Sequence, residues 1–164
     1  MTAERPIDTD TLIIGAGPAG LAVGGCLRKA GVPFEMIDGA ETIGSSWRRH
    51  YDRLHLHTER RWSSLPHHRM PADWPKYVPR AKVVEYLESY AETFSLRPRL
   101  GEWVTRAEPR AGAWRVTTAS GEHRAKRLVI ATSYNHTPNR PSWPGMETFG
   151  GPIVHTSEYK NGAP

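Results

Sequence analysis

The chain has 164 residues, of which 38% are hydrophobic and 24% charged, a balance that fits one globular domain with a real core and excludes a disordered chain. A net charge of +5 and a pI near 9.6 raise the question of nucleic acid. The basic residues Arg48, Arg49, Arg60, Arg61 and Arg69 lie in a Pro-, Trp- and Ser-rich stretch rather than on a periodic helix face, so no nucleic-acid partner is expected.

No run approaches the roughly 18 apolar residues of a membrane span, and Met1–Pro6 open no signal-peptide core. With Cys26 as the single cysteine, no disulfide framework can form within the chain. The expected setting is therefore reducing and cytoplasmic, with Cys26 as a small buried packing residue.

In chain order, Leu12-Ile13-Ile14 reads as a buried strand that breaks at Gly15, and a small-residue helix begins at about Pro18. The sequence Gly15-Ala16-Gly17-Pro18-Ala19-Gly20 thus places G-x-G-x-x-G where strand becomes helix, the context a dinucleotide phosphate fingerprint requires. Gly15 permits the tight turn, Gly17 removes a side chain that would block a pyrophosphate, and Gly20 lets the helix approach the sheet. The helix N-terminus directs unpaired N–H groups and positive dipole toward the phosphates. After the helix ends near Ala30-Gly31, Val32–Ile37 reads as a second strand delivering Asp38, 18 residues past Gly20, to accept hydrogen bonds from a ribose diol. Its charge repels a 2′-phosphate, so the expected nucleotide has a free ribose, as in FAD or NAD.

From Gly44 to Pro79 the pattern is irregular, with four prolines, aromatics and five histidines, the mark of a ligand-covering loop. His50, His55, His57, His67 and His68 lack the cysteine or carboxylate partners of a metal centre, so no metal is expected. Ala81–Phe94 has helical spacing through Val83, Leu87, Tyr90, Ala91 and Phe94. The segments Trp103–Thr105, Trp114–Thr118 and Glu122–Lys126 read as a small antiparallel meander, followed by a third buried strand, Arg127–Ala131. The predicted fold is α/β and Rossmann-like: a three-layer FAD-binding fold with a parallel sheet, helices and an inserted antiparallel β-meander.

Four motifs in order give the chain a family likeness: GAGPAG at Gly15–Gly20, WRRHYDRLHLHT at Trp47–Thr58, ATSYNHTPNRP at Ala131–Pro141, and FGGPIVHTSEY at Phe149–Tyr159. The last fits F-x-G-x-x-x-H-x-x-x-Y through Phe149, Gly151, His155 and Tyr159. On these residues the chain resembles the N-terminal part of the class B flavin-dependent monooxygenases, the flavin-containing monooxygenase group, with a pattern like its YUCCA-type branch. The resemblance implies FAD held by Gly15, Ala16, Gly17, Pro18, Ala19, Gly20 and Asp38, with Trp47 and Thr132 along the cofactor. The Phe149–Tyr159 signature would link to an NADPH-binding part, His155 being structural or hinge-like. Ser133 stands where the family has glycine.

It further implies an enzyme that takes hydride from NADPH, reacts reduced flavin with O2, and oxygenates a small organic substrate through a C4a-(hydro)peroxyflavin. No protein side chain is assigned a catalytic role. Residues 1–164 read as the first segment of the FAD-binding domain, because the second glycine fingerprint and the returning FAD-domain segment of this family are absent. The chain accordingly reads as a truncated product, a fragment or half of a split protein needing a partner chain. The alternative is a non-catalytic FAD- or adenine-nucleotide-binding module. A disulfide-reductase relative is disfavoured, as there is no Cys-x-x-Cys.

Overall fold

A computed structural model describes residues 8–134 and 137–163; Asn135 and His136 of the third motif, and the Met1–Pro6 opening, lie outside the described residues. Five strands form one sheet in the order β2-β1-β5-β4-β3. Their spans are β1 Thr9–Ile14, β2 Glu35–Ile37, β3 Val104–Arg110, β4 Ala113–Thr118 and β5 Gly121–Ile130. The helices are α1 Pro18–Lys29, α2 Ser45–Arg49, α3 Arg60–Ser63 and α4 Arg80–Thr93, with a 3-10 turn at Met146–Thr148.

β1 pairs in parallel with both neighbours, Ile13 facing Met36 of β2 and Val129 of β5. Strand alternation sends its side chains to two different cores. Ile13 joins Leu21, Met36, Tyr86, Leu87 and Tyr90 beneath α1 and α4, whereas Leu12 and Ile14 join Ile37, Val116 and Ala125 on the meander side. Both faces are therefore covered, and this is why the run is continuously apolar rather than alternating. Burying each such side chain contributes about 1.5–3 kcal/mol.

α1 ends in a Schellman turn: Gly31 adopts φ +67°, its amide bonds Arg28 O, and the Val32 amide bonds Leu27 O at 3.0 Å. That turn, with Pro33 lacking an N–H, delays β2, so the expected strand from Val32 shortens to Glu35–Ile37.

A second difference concerns β5. The expected third meander strand and the expected final buried strand are one ten-residue element. Its first half pairs antiparallel with β4, Val116 opposite His123, and its second half pairs parallel with β1. Charged residues at alternate positions make this strand read as two, but its inward positions His123 and Ala125 are buried. β5 leaves the meander and enters the parallel sheet without a break. Its last residue is not buried as expected, for Ile130 is 67% exposed.

The irregular stretch is fixed by α4. The Tyr86 hydroxyl donates to His68 O and accepts from the Leu65 amide, both at 2.6 Å, while the Tyr90 hydroxyl donates to Pro66 O at 2.9 Å. Two buried tyrosines thus satisfy part of the backbone of this loop, which also closes on itself at an antiparallel bridge between His55 and Pro79.

Candidate cofactor site

The carboxyl ends of β1, β2 and β5 meet at the glycine turn. The Gly15 amide donates to Ile37 O at 2.7 Å, and the Ala131 amide to Ile14 O at 2.8 Å, so the ends of β2 and β5 are tied to the turn. Gly15 has φ +115°, and a Cβ there would overlap the Ala131 carbonyl; a Cβ on Gly20 would overlap the Gly15 carbonyl. These two glycines serve the protein's own packing.

Gly17 differs from both. It has an ordinary φ of −82° and a Cβ would meet nothing within 4 Å. No internal contact requires glycine here, and the position lies at the N-cap of a twelve-residue helix with Pro18 in its first turn and no acid there. Open space, outward amides and the positive end of the α1 dipole converge at this point, and they fit a phosphate.

Asp38 is half-buried at the end of β2. Its Oδ2 accepts from the Ala16 amide at 2.5 Å and its Oδ1 from the Ala40 amide at 2.7 Å. Each carboxylate oxygen keeps a second acceptor site, so the group can orient the turn and still accept from a diol.

α2 starts beside the same turn, the Gly44 amide lying 3.5 Å from Ala16 O with Gly44 at φ +66°. Trp47 on α2 packs partly buried against the helix-side core. Thr132 is exposed just past the residue stacked over Gly15. Ser133 has φ +65°, the left-handed region that favours glycine.

The last motif occupies a different place. Phe149 is exposed, with Gly151 under its ring. His155 Nδ1 receives the Ser157 amide at 3.1 Å and lies 2.8 Å from the Ser157 hydroxyl, so this nitrogen closes its own turn. The His155 amide and the Arg140 guanidinium hold the Glu158 carboxyl below its usual range. Tyr159 stands 6.2 Å from the Tyr51 ring, Asp52 N donates to Lys160 O at 2.8 Å, and Asn161 Nδ2 donates to Asp52 Oδ2 at 2.9 Å. The signature is thereby fastened to the Trp47–Thr58 segment and not to the glycine turn.

Cys26 is exposed, against the expectation of burial. Gly24 and Gly25 take the inward positions, facing Met36, Leu96 and Tyr90, and the next residue is rotated to the surface. Its Sγ lies 3.9 Å from His67 Nε2. Among the described residues no three His, Cys, Asp or Glu side chains are grouped to hold a metal, and no helix is long and apolar enough to cross a membrane. Several basic residues of this region are paired locally, Arg48 with Glu88, Arg61 and Lys76 with Glu59, and Arg80 with Asp52.

Sequence reasoning missed the segment Arg99–Trp103. It runs along β2: Arg99 N donates to Met36 O, Asp38 N to Arg99 O and Glu102 N to Asp38 O, at 2.8–2.9 Å. The indole of Trp103 consequently lies against Gly39. This pairing is long-range and irregular, and its signal in the sequence is a glycine directly after Asp38.

Residues 12–164 match the family described as pyridine nucleotide-disulphide oxidoreductase. The chain is 41% identical over 155 residues to the probable indole-3-pyruvate monooxygenase YUCCA4 of Arabidopsis thaliana, matching 93% of this chain and 38% of that protein. It is 43% identical over 155 residues to the indole-3-pyruvate monooxygenase YUCCA1 of Oryza sativa subsp. japonica, again 38% of that protein. Among solved structures it superposes on the flavin-containing monooxygenase from Stenotrophomonas maltophilia with a TM-score of 0.84 at 30% identity, covering 93% of this chain and 46% of that one. It superposes on cyclohexanone monooxygenase with a TM-score of 0.78 at 30% identity, covering 95% and 33%. The chain spans less than two-fifths of the length of the curated relatives it matches. It belongs to the pyridine nucleotide-disulphide oxidoreductase family, and within it corresponds to the N-terminal part of the class B flavin-dependent monooxygenases.

Proposed function

We propose that this chain binds FAD and is the FAD-binding first segment of an NADPH-dependent flavin monooxygenase. Gly15, Ala16, Gly17, Pro18, Ala19 and Gly20 hold the pyrophosphate, Asp38 the adenosine ribose, and Trp47 and Thr132 flank the cofactor toward the flavin. Phe149, Gly151, His155 and Tyr159 form the link to an NADPH-binding part carried by a longer polypeptide or a partner chain. The observation that carries this reading is the open space over Gly17 at a helix N-terminus, beside a turn clamped by the Asp38 carboxylate. Bound FAD would supply hydride acceptance and reaction with O2. Amides at the α1 N-terminus bind the pyrophosphate, the Gly15 and Ala16 amides set the turn through Ile37 O and Asp38 Oδ2, and Asp38 fixes the ribose. The substrate is a small organic acid or carbonyl compound, as the indole-3-pyruvate relatives suggest, and the setting is cytoplasmic.

The second reading is that this chain by itself is a binding module without a reductive step. Adding NADPH anaerobically to the flavin-loaded chain separates the two. Bleaching of the flavin absorbance supports a chain competent for reduction, and an unchanged oxidised spectrum supports a module that depends on the remainder.

A further inference from the structure

α2 carries Trp47 beside the glycine turn, yet at five residues, none of them fully buried, it is too short to hold its own shape. Its two ends are fixed from outside. At the start, the Gly44 amide approaches Ala16 O, and Gly44 sits so close to Leu87 of α4 that a Cβ would come within 3.1 Å of that side chain. At the other end stands Arg80, the first residue of α4. Its Nη1 donates to Arg48 O at 2.7 Å and to His50 O at 3.0 Å, and its Nη2 to Asp52 Oδ1 at 3.2 Å. Lys160 Nζ donates to Arg49 O, the carbonyl between those two. Three successive carbonyls at the negative end of α2 thus each receive a cationic donor. Asp52 joins the elements that supply them, taking Arg80 on one carboxylate oxygen and Asn161 on the other while its amide donates to Lys160 O. With its side chain 24% exposed, the Arg80 fork is seated rather than solvated.

We propose that Arg80, assisted by Lys160, is a positioning residue for the flavin half of the cofactor. By fastening the carboxyl end of α2 it sets where Trp47 stands, a role that rests on the FAD reading above. The two halves of the site then have separate supports. The glycine turn and Asp38 are tied to β1, β2 and β5, and they hold the ADP half without help from Arg80. α2 has no strand to lean on, so its seat against α4 depends on the guanidinium fork, whose several fixed donors no other side chain reproduces. Loss of the fork frees the last turn of α2 and displaces Trp47, which lies within that turn. FAD consequently loses affinity and ADP does not.

The test uses the whole chain with FAD and ADP as probes, titrated calorimetrically against wild type, Arg80→Met and Lys160→Met, with circular dichroism establishing that each variant is folded. The readout is the ratio of the two affinities, which a general loss of stability does not move. Arg80→Met weakens FAD about tenfold and leaves ADP within about twofold of wild type. The absorbance peaks of its bound flavin move toward those of free FAD. Lys160→Met, which gives up the one bond to Arg49 O, weakens FAD about threefold at unchanged ADP affinity, and it decides the question by the same ratio if Arg80→Met does not fold. If folded variants keep the wild-type preference for FAD over ADP, the positioning role is overturned while the FAD reading stands. If the wild type binds ADP as tightly as FAD, α2 does not serve the flavin half and the proposal falls, although the dinucleotide site remains. If it binds neither, the FAD reading itself fails.

Discussion

The Ala16 amide donates to Asp38 Oδ2 across 22 residues of sequence, at 2.5 Å. With the Ala40 amide on Oδ1 at 2.7 Å, the carboxylate closes the glycine turn onto the end of β2. Asp38→Ala therefore loses stability and nucleotide together. Removing two charge-assisted bonds at a half-buried site costs about 1–3 kcal/mol. Asp38→Asn, which keeps one acceptor oxygen, loses less. Urea unfolding without nucleotide measures this effect; a variant as stable as wild type would show that the acid serves the ligand alone.

Two roles in the glycine turn separate by substitution. Gly17→Ala faces open space at an ordinary φ, so it costs only the N-cap preference, about 1 kcal/mol or less, while FAD affinity falls. Gly20→Ala drives a Cβ into the Gly15 carbonyl and costs about 3 kcal/mol or more, or prevents folding. Thermal unfolding of the two variants side by side gives opposite results if this division is right.

Ser133 at φ +65° holds a non-glycine residue in the left-handed region. Ser133→Gly removes steric strain and raises chain entropy in the unfolded state, so the net gain is about 0.5–1 kcal/mol. A rise in the urea midpoint at unchanged slope is the expected result.

The Tyr90 hydroxyl is buried, and desolvation first, then Cys26 and Tyr86, push its ionisation up from 10.0 to about 12. The unfolded chain loses this proton before the folded one does. The stability contribution is thus complete below pH 10.0 and is lost as pH rises toward about 12. Tyr90→Phe forfeits the bond to Pro66 O, about 1 kcal/mol at neutral pH, but its stability declines less steeply in that window. Urea midpoints for both proteins at about pH 8 and about pH 11 measure the difference.

The glycine turn, α1 and Asp38 were legible because their signals are local: an apolar run, a fingerprint at its end, and an acid after the next strand. α4 was legible by its period, Arg80–Thr93 against the expected Ala81–Phe94. β5 was not, because its register changes partner midway and the polar residues of its exposed side break the apolar pattern. Cys26 was misplaced since two adjacent glycines, rather than a bulkier residue, take the buried positions on α1. Asp38's grip on Ala16 and the seating of Trp103 on Gly39 depend on contacts 22 and 64 residues apart, and no periodicity reports such contacts.

The proposed function requires a dinucleotide site around Gly17 and Asp38. The most direct test is the visible spectrum of the purified chain after incubation with FAD and removal of free flavin. The expected result is retained flavin absorbance with peaks displaced from those of free FAD, abolished in Gly17→Trp although that variant stays folded. A wild-type chain that is folded and colourless, or a Gly17→Trp variant that retains flavin, would contradict it.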